Sequence, residues 1–200
     1  MAPLARPVVS DAAPRPRPPI AVDHAIAAHL VALLPEEPTL QFGPGGVAEA
    51  IIAALDRPVR IWSGLVTDAR RPARTRAVAR RRDRGIRVGG RSVVSLAEAG
   101  KLILRPVHET HDLTRVSRIE RFVGCNTALQ VGLNGSVNVE RVGGRLVAGI
   151  GGHPDFCAAA SRSPGGLTIV ALPSTTRSGA SAIVPVVEPR PPRGATSRCW

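Results

Sequence analysis

Hydrophobic and polar positions in the first third of the chain alternate with helical and strand-like spacing. Four apolar residues between Asp23 and Pro35 recur three or four positions apart: Ile26, Leu30, Val31 and Leu34. This spacing predicts a helix that Asp23 caps and Pro35 ends. A short strand over residues 39–42, a glycine loop from Gly43 to Gly46, a helix over 47–55 and a strand in "RPVRIWSGLV" follow. This order is typical of a βαβ unit and predicts a parallel sheet.

The second half of the chain also contains segments with helical spacing and segments with strand-like spacing. "FVGCNTALQVGLNGSVNVE" predicts two strands around a turn at Asn134-Gly135, and "GGRLVAGIGG" predicts a strand that leaves through glycines. "PDFCAAASRS" predicts a short helix with Pro154 in its first turn, and "GGLTIVALPST" and "SAIVPVVE" predict two more strands. The pattern therefore indicates a mixed α/β fold. Each glycine loop precedes a helix N-terminus, which favours an anionic ligand or a developing oxyanion.

The amino-acid composition indicates what the core consists of and which cellular compartment the protein occupies. Aromatic residues make up 2% of the chain, so the core must consist of aliphatic side chains. The three cysteines have no metal-like spacing and are odd in number, which favours a reducing compartment. The N-terminal residues lack the apolar run of a signal peptide, and no window approaches the roughly 18 apolar residues of a membrane span. We expect a cytoplasmic protein with no membrane contact.

The net charge of +12 is concentrated in one segment. Ten arginines and one acidic residue, Asp83, lie between Arg70 and Arg91, and Lys101 is the single lysine. No aromatic residue interrupts the segment, so the stacking expected of a single-strand nucleic-acid binder is missing. We interpret residues 70–91 as solvated or disordered, and a nucleic-acid partner is the least favoured reading. We predict that residues 1–19 are a disordered linker and that residues 190–200 are a disordered tail.

Five blocks from about Ile26 to Pro189 carry a family resemblance: "LQFGPGGVAEAI" (40–51), "IWSGLVTDA" (61–69), "RFVGCNTALQVGLNGSVNVE" (121–140), "GGRLVAGIGGHPDF" (143–156) and "GGLTIVALPSTTRSGASAIVP" (165–185). In this order they resemble the C-terminal catalytic half of the acetyl-CoA hydrolase/transferase family, which includes 4-hydroxybutyrate and acetate CoA-transferases. The resemblance implies an open mixed α/β sheet of the CoA-transferase type over residues 20–189. It also implies a glutamate that attacks an acyl-CoA to give an acyl-glutamyl anhydride and then a glutamyl-CoA thioester. The CoA then passes to an acceptor carboxylate, or the acyl group to water.

The resemblance also implies a site. The glycines of the second loop (Gly149, Gly151 and Gly152) would border the acyl-CoA and help to form an oxyanion hole. The glycines of the first loop (Gly43, Gly45 and Gly46) would line the path of CoA, and Asn126 would face the site. The implied partners are a short-chain acyl-CoA and a small carboxylate. No bound cofactor and no metal are expected, because coenzyme A enters as the substrate thioester.

The chain departs from this family at the nucleophile. The family glutamate follows a motif close to Ile-His-Ser/Thr, but here Gly64 follows Ile61-Trp62-Ser63. Glu49 lies nearby in sequence and is a weak substitute because it falls within a helix. The preferred function is a truncated acyl-CoA hydrolase or CoA-transferase. The alternative is a catalytically inactive CoA-binding remnant.

Two segments of the chain, residues 70–91 and the C-terminal tail, do not match the family. The hypothesis for both is a frame slip in a GC-rich gene, and resequencing the gene tests it. A partial domain is also expected to leave one sheet face uncovered, which favours a homo-oligomer or aggregation.

The other side chains that could act in catalysis or metal binding are assigned structural roles. His153 is read as a loop-capping or surface residue rather than a general base. The "HETHD" segment from His108 to Asp112 has ligand-type spacing but no clear further ligands, so we read it as a polar loop rather than a zinc site. Cys125 and Cys157 are expected to be buried and inert.

Overall fold

A six-stranded sheet lies at the centre of a computed structural model that describes residues 18–57, 59–68, 71–79, 102–176 and 178–187. The strands are β1 (Thr39–Phe42), β2 (Arg60–Asp68), β3 (Arg71–Ala79), β4 (Leu102–Leu104), β5 (Phe122–Thr127), β6 (Gln130–Gly132), β7 (Val137–Asn138), β8 (Arg141–Val142), β9 (Arg145–Leu146), β10 (Leu167–Ala171) and β11 (Ile183–Val184). The helices are α1 (Ala21–Leu33), α2 (Gly46–Ala54), α3 (Val107–Thr110), α4 (Leu113–Val116) and α5 (His153–Arg162).

The main sheet is mixed, as the family resemblance implied, whereas the hydrophobic pattern predicted only its parallel part. Its strand order is β10-β5-β1-β2-β3-β4. The first four strands are parallel, while β3 runs antiparallel to both β2 and β4. The predicted βαβ unit is β1-α2-β2, and its two strands pair directly. The open mixed α/β fold is therefore confirmed.

Helices cover both faces of the central strands. On one face, α1 and α2 pack on alternate strand residues that include Leu40, Ile61 and Val123. On the other face, Phe156 and neighbouring residues of α5 pack with Phe122 and with Val116 of α4. At β5 and β10 the expectation of an uncovered sheet face is therefore wrong, because α5 packs on the second face of these two strands.

The N-cap of the first helix lies three residues before the predicted one. Ile20, not Asp23, occupies the N-cap position, and the Asp23 carboxylate accepts a hydrogen bond from the Ile20 N–H at 2.9 Å. Asp23 is buried inside the first turn, where it satisfies a donor that the helix leaves unpaired. The predicted end is confirmed, since α1 finishes just before Pro35.

Part of the arginine-rich segment is a strand. Residues 71–79 form β3 and pair with β2 and β4, so the reading of residues 70–91 as solvated or disordered is wrong there. Strands pair through backbone N–H and C=O groups, which every residue except proline supplies in full. Because the side chains of this segment have no periodic pattern, the sequence did not reveal the strand. Arg70 and residues 80–91 lie outside the described residues, as do 1–17 and 188–200.

Two hairpins follow β5. The predicted turn at Asn134-Gly135 connects the antiparallel strands β6 and β7, and Gly135 has a positive φ of 79°. Of the strand predicted in "GGRLVAGIGG", only Arg145–Leu146 is a strand. It is β9, the second strand of the β8–β9 hairpin, and the residues after it form a loop. Gly143 and Gly144, with φ of 57° and 75°, form its two-residue turn. Within the described residues no helix is long and apolar enough to cross a membrane.

Candidate functional site

The carboxyl ends of the parallel strands β5 and β1, with the middle of the adjacent parallel strand β2, form the floor of the candidate site. Gly43 follows β1, and its N–H donates to the Cys125 carbonyl of β5 at 3.2 Å. On the other side the Ser63 hydroxyl of β2 donates to the Phe42 carbonyl at 3.1 Å, so Gly64 lies just beyond the end of β1. Ligands of open α/β sheets bind at this edge of the strands.

The structure brings together Gly43 and Asn126, two of the residues predicted to bind CoA. A Cβ atom on Gly43 would lie 3.5 Å from Oδ1 of Asn126. Both residues also line an apolar pocket whose walls include Val47 and Cys125. Gly45 has a φ of 137°, a conformation open to glycine alone, and Gly46 begins α2.

A buried amide pair that sequence reasoning missed fixes Asn126. Nε2 of Gln41 donates to Oδ1 of Asn126 at 3.3 Å, and Nδ2 of Asn126 donates to Oε1 of Gln41 at 3.1 Å. Two reciprocal hydrogen bonds orient both amides and leave no buried charge. The pair lies on the α5 side of the sheet, since Oε1 of Gln41 is also within 3.5 Å of the Cβ position of Gly124, which packs against α5.

Gly64 and Gly152 converge on a third residue, His111. A Cβ atom on Gly64 would lie 2.8 Å from both Cε1 and Nε2 of His111 and 3.3 Å from Cε2 of Phe156. A Cβ atom on Gly152 would contact Nε2 of the same imidazole and lie 2.8 Å from the same Phe156 carbon. The ring therefore occupies the space where side chains at these glycines would begin. A glutamate at position 64 would displace it.

The remaining glycines of the second loop are open to solvent. A Cβ atom on Gly149 or Gly151 would meet no atom within 4 Å, and Gly151 has a positive φ of 56°. Gly152 is the N-cap residue of α5, with Pro154 in the first turn as predicted. The loop thus presents bare backbone at a helix N-terminus, which carries a partial positive charge.

The "HETHD" segment contains the last three residues of α3, its C-cap His111 and the N-cap Asp112 of α4, rather than the predicted polar loop. α3 contains His108 and Glu109, and the Asp112 carboxylate caps α4 by accepting from the Arg115 N–H at 2.7 Å. In the part of the chain that the structure describes, no three His, Cys, Asp or Glu side chains gather as a metal site would require. His111 and Asp112 connect the two helices, and the His111 ring lies at the sheet edge.

His153 and the two cysteines are buried. The reading of His153 as a surface or loop-capping residue is wrong, since it lies in the first turn of α5 with 6% of its surface exposed and 3.8 Å from Sγ of Cys157. Cys125 and Cys157 are buried as predicted, and burial raises the pKa of Cys125 to about 12. Cys125 is therefore a neutral, unreactive thiol at pH 7.

Glu49 does not share a sheet face with Gly64. It lies in α2, which packs on the face formed by Leu40 and Ile61, while Gly64 faces Phe156 of α5. Burial raises the pKa of Glu49. The fold therefore does not bring the Glu49 carboxyl to Gly64 and Gly152, and it does not support Glu49 as a substitute nucleophile.

Known proteins resemble this chain over most of its length. It is 28% identical over 180 residues to the 4-hydroxybutyrate coenzyme A transferase of Clostridium kluyveri, covering 84% of this chain and 42% of that protein. It is 29% identical over 168 residues to the butyryl-CoA:acetate CoA-transferase of Anaerostipes caccae, covering 77% and 38%. The crystal structure of RipA from Yersinia pestis superposes with a TM-score of 0.68 at 25% identity, covering 91% of this chain and 42% of that one.

The chain thus spans less than half the length of these relatives. A family model, the acetyl-CoA hydrolase/transferase C-terminal domain, matches residues 93–197, more than half of the 200 residues. The match continues through most of the tail, so the interpretation that family resemblance stops at Pro189 is wrong. Together with the mixed sheet and its glycine-rich edge, these matches establish that the chain belongs to the acetyl-CoA hydrolase/transferase family, in the region of its C-terminal domain.

Proposed function

We propose that this chain binds a short-chain acyl-CoA thioester at the edge formed by β5, β1 and β2 and turns it over as an acyl-CoA hydrolase or CoA-transferase. The observation that carries the proposal is the convergence of Gly64 and Gly152 on one imidazole, with Gly43 and Asn126 on the neighbouring strands. Five separate segments of the chain thereby supply bare backbone, an oriented amide and a titratable group to one edge.

The electrostatics of this edge suit the proposed substrate. The N-termini of α2 and α5 both follow glycine loops, and each carries a partial positive charge. We assign the Gly43, Gly45 and Gly46 loop to the phosphates of CoA and the Gly149, Gly151 and Gly152 loop to the thioester carbonyl. A small carboxylate such as acetate is the proposed acceptor where transfer occurs. Coenzyme A enters only as substrate, and we expect the reaction in the cytoplasm.

The second candidate function is CoA binding without turnover. It is favoured by Gly64, which offers no carboxylate at the position that the family resemblance assigns to the nucleophile. Both candidate functions predict that the chain binds acyl-CoA, but only the first predicts that the thioester is cleaved. A nucleic-acid-binding role has less support, because the part of the arginine segment that the structure describes, β3, lies within the main sheet.

Calorimetric titration and thiol release test the proposal on the purified 200-residue chain. Acetyl-CoA, butyryl-CoA and 4-hydroxybutyryl-CoA are titrated, and free CoA is followed with and without acetate. We expect saturable binding and thiol release. Gly43→Val should weaken binding about tenfold, or ~1.4 kcal/mol, because its branched side chain would occupy the loop that we assign to the phosphates of CoA. Ser178→Val adds the same side chain in an exposed loop and should bind as the natural chain does.

The possible results separate the two functions. Binding without thiol release would establish the CoA-binding alternative. A folded chain that binds none of the three thioesters at millimolar concentration would refute both.

A further inference from the structure

The second glycine loop is fixed by packing at only one of its ends. At the C-terminal end, Gly152 is the N-cap residue of α5, and a Cβ atom there would contact the rings of His111 and Phe156. In the loop itself, a Cβ atom on Gly149 or Gly151 would meet no described atom within 4 Å. The position of the N-terminal end therefore depends on hydrogen bonds.

The N-terminal end of this loop is fixed through one carbonyl group, that of Glu140. This carbonyl accepts from the Val147 N–H at 2.7 Å and from the Ala148 N–H at 3.2 Å, immediately before Gly149. Between Glu140 and these two residues lies the β8–β9 hairpin, whose residues 142–147 are exposed. Since exposed side chains contribute little packing, the position of Glu140 determines where the glycine loop begins.

Asn138 holds this part of the hairpin with a buried carboxamide. Its Oδ1 accepts from the N–H groups of Glu140 and Arg141 at 3.1 and 3.0 Å. Its Nδ2 donates to the Arg141 carbonyl and to Oε1 of Gln130, both at 2.9 Å. The side chain thus uses two acceptor sites and two N–H donors on protein partners, a combination that the isosteric aspartate cannot supply because it does not donate.

The same residue connects the hairpin to the carboxyl end of β5. The Asn138 carbonyl accepts from the Leu129 N–H at 2.8 Å, and the adjacent Ala128 N–H donates to the Ala171 carbonyl of β10 at 3.0 Å. Ala128 and Leu129 directly follow β5, the strand that contains Asn126. A continuous series of hydrogen bonds therefore runs from the sheet edge through Asn138 to the first residues of the glycine loop.

We propose that Asn138 is a positioning residue of the acyl-CoA site, which holds the second glycine loop in a fixed place relative to Asn126 so that the loop N–H groups meet the thioester carbonyl. This inference rests on the acyl-CoA site proposed above. A backbone N–H group stabilises a carbonyl oxygen only within hydrogen-bonding distance, so a loop that shifts by about 1 Å loses the contact. Asn138 acts on the substrate through the loop backbone and does not touch the reacting atoms.

The neighbouring β6–β7 hairpin contains a matched asparagine in a different turn. Oδ1 of Asn134 accepts from the Ser136 N–H at 3.1 Å, with the same two-residue spacing as the hydrogen bond between Asn138 and Glu140. Asn134 is exposed, and its turn leads from β6 to β7 rather than to the glycine loop. Asn134→Ala therefore removes an equivalent local hydrogen bond and is the control for Asn138→Ala.

The first test measures what the loop contributes to binding of the thioester carbonyl. Calorimetric titration of the 200-residue chain compares acetyl-CoA with free CoA, which lacks the carbonyl, and the natural chain should bind acetyl-CoA more tightly. Asn138→Ala and Asn138→Asp should weaken acetyl-CoA binding about tenfold and free CoA binding less than about twofold, because the first glycine loop, assigned to the phosphates, is unchanged. Asn134→Ala should change neither affinity.

The second test uses hydrogen exchange to separate a displaced loop from an unfolded chain. In Asn138→Ala the peptide that covers residues 147–153 should exchange about tenfold faster than in the natural chain, while the peptide that covers β5 should keep its rate. Bound acetyl-CoA should slow exchange of the loop peptide in the natural chain. If Asn138→Ala loses the protection of β5 as well, Asn138→Asp, which keeps the acceptor oxygens, provides the comparison.

Several results would overturn the role of Asn138. One is a folded Asn138 variant whose loop exchange and acetyl-CoA affinity equal those of the natural chain. Equal losses for acetyl-CoA and free CoA, an equal loss in Asn134→Ala, or a natural chain that binds both ligands equally well would also contradict it. A natural chain that binds neither ligand would instead refute the proposed function itself.

Discussion

At the residue scale, two glycines of the same loop have opposite steric surroundings. A Cβ atom on Gly152 would press against the rings of His111 and Phe156, whereas one on Gly149 would meet nothing within 4 Å, at a φ that does not require glycine. We expect Gly152→Ala to lower the free energy of unfolding by about 1–3 kcal/mol, because a side chain is forced into filled space.

Gly149→Ala is the matched control. It should leave the stability unchanged or raise it by about 0.4–1 kcal/mol, because alanine restricts the unfolded chain. Urea unfolding of both variants measures the difference. Equal stabilities would mean that the His111 ring does not occupy the space above Gly152.

The sequence predicted the residues of this site unevenly. Gly43, Asn126, Gly64 and Gly152 stand in recognisable blocks, and the fold brings them to one sheet edge. His111 was assigned to a polar loop because its significance depends on contacts with β2 and α5, which are distant in sequence. Residue spacing within "HETHD" contains no information about such contacts, so only the folded arrangement identifies the imidazole.

At the scale of elements, one serine joins the end of α5 to the start of β5. The Ser163 hydroxyl donates to the Ile119 carbonyl and accepts from the Phe122 N–H at 3.1 Å. Ser163→Ala would leave both backbone groups without this partner, in a buried place, and should cost about 1–3 kcal/mol of unfolding free energy.

The neighbouring Ser161 provides the comparison. It is exposed on the same helix, and its hydroxyl donates to the Ala158 carbonyl. Ser161→Ala should change stability by no more than ~0.5 kcal/mol, as is usual for a surface substitution. Thermal and urea unfolding measure both variants. A loss at Ser161 as large as that at Ser163 would contradict this role of the α5 C-terminus.

Elements with strong local signals were predictable, and those that depend on pairing were not. The βαβ unit and the Asn134-Gly135 turn follow from apolar spacing and turn chemistry, and both are confirmed. The strand β3 has no such signal, because its backbone groups pair with β2 and β4 whatever its side chains are. The start of α1 was misplaced because Asp23 caps the backbone from inside the first turn.

At the scale of the whole molecule, the layered arrangement determines where apolar surface remains. Helices cover both faces of β5 and all four residues of β1 are buried, so these central strands do not expose the face that a partial domain was expected to leave open. Among the described residues, the exposed large apolar side chains outside the helices are Ile20, just before α1, and a group in the hairpins and the last strand region: Leu133, Val142, Leu146, Val147, Ile183 and Val186.

The small sheet formed by β11, β6 and β7 should therefore drive self-association. Leu133 and Val186 expose 76% and 71% of their surfaces beside this sheet, and exposed apolar surface favours contact between molecules. We expect the natural chain to elute above its monomer mass in light-scattering chromatography, increasingly so at higher concentration. Leu133→Ser with Val186→Ser should shift it toward the monomer. Leu33→Ser, at an exposed position of α1, is the control for a general gain in polarity. A natural chain that is monomeric at every concentration, or an equal shift with Leu33→Ser, would show that the small sheet is not the associating surface.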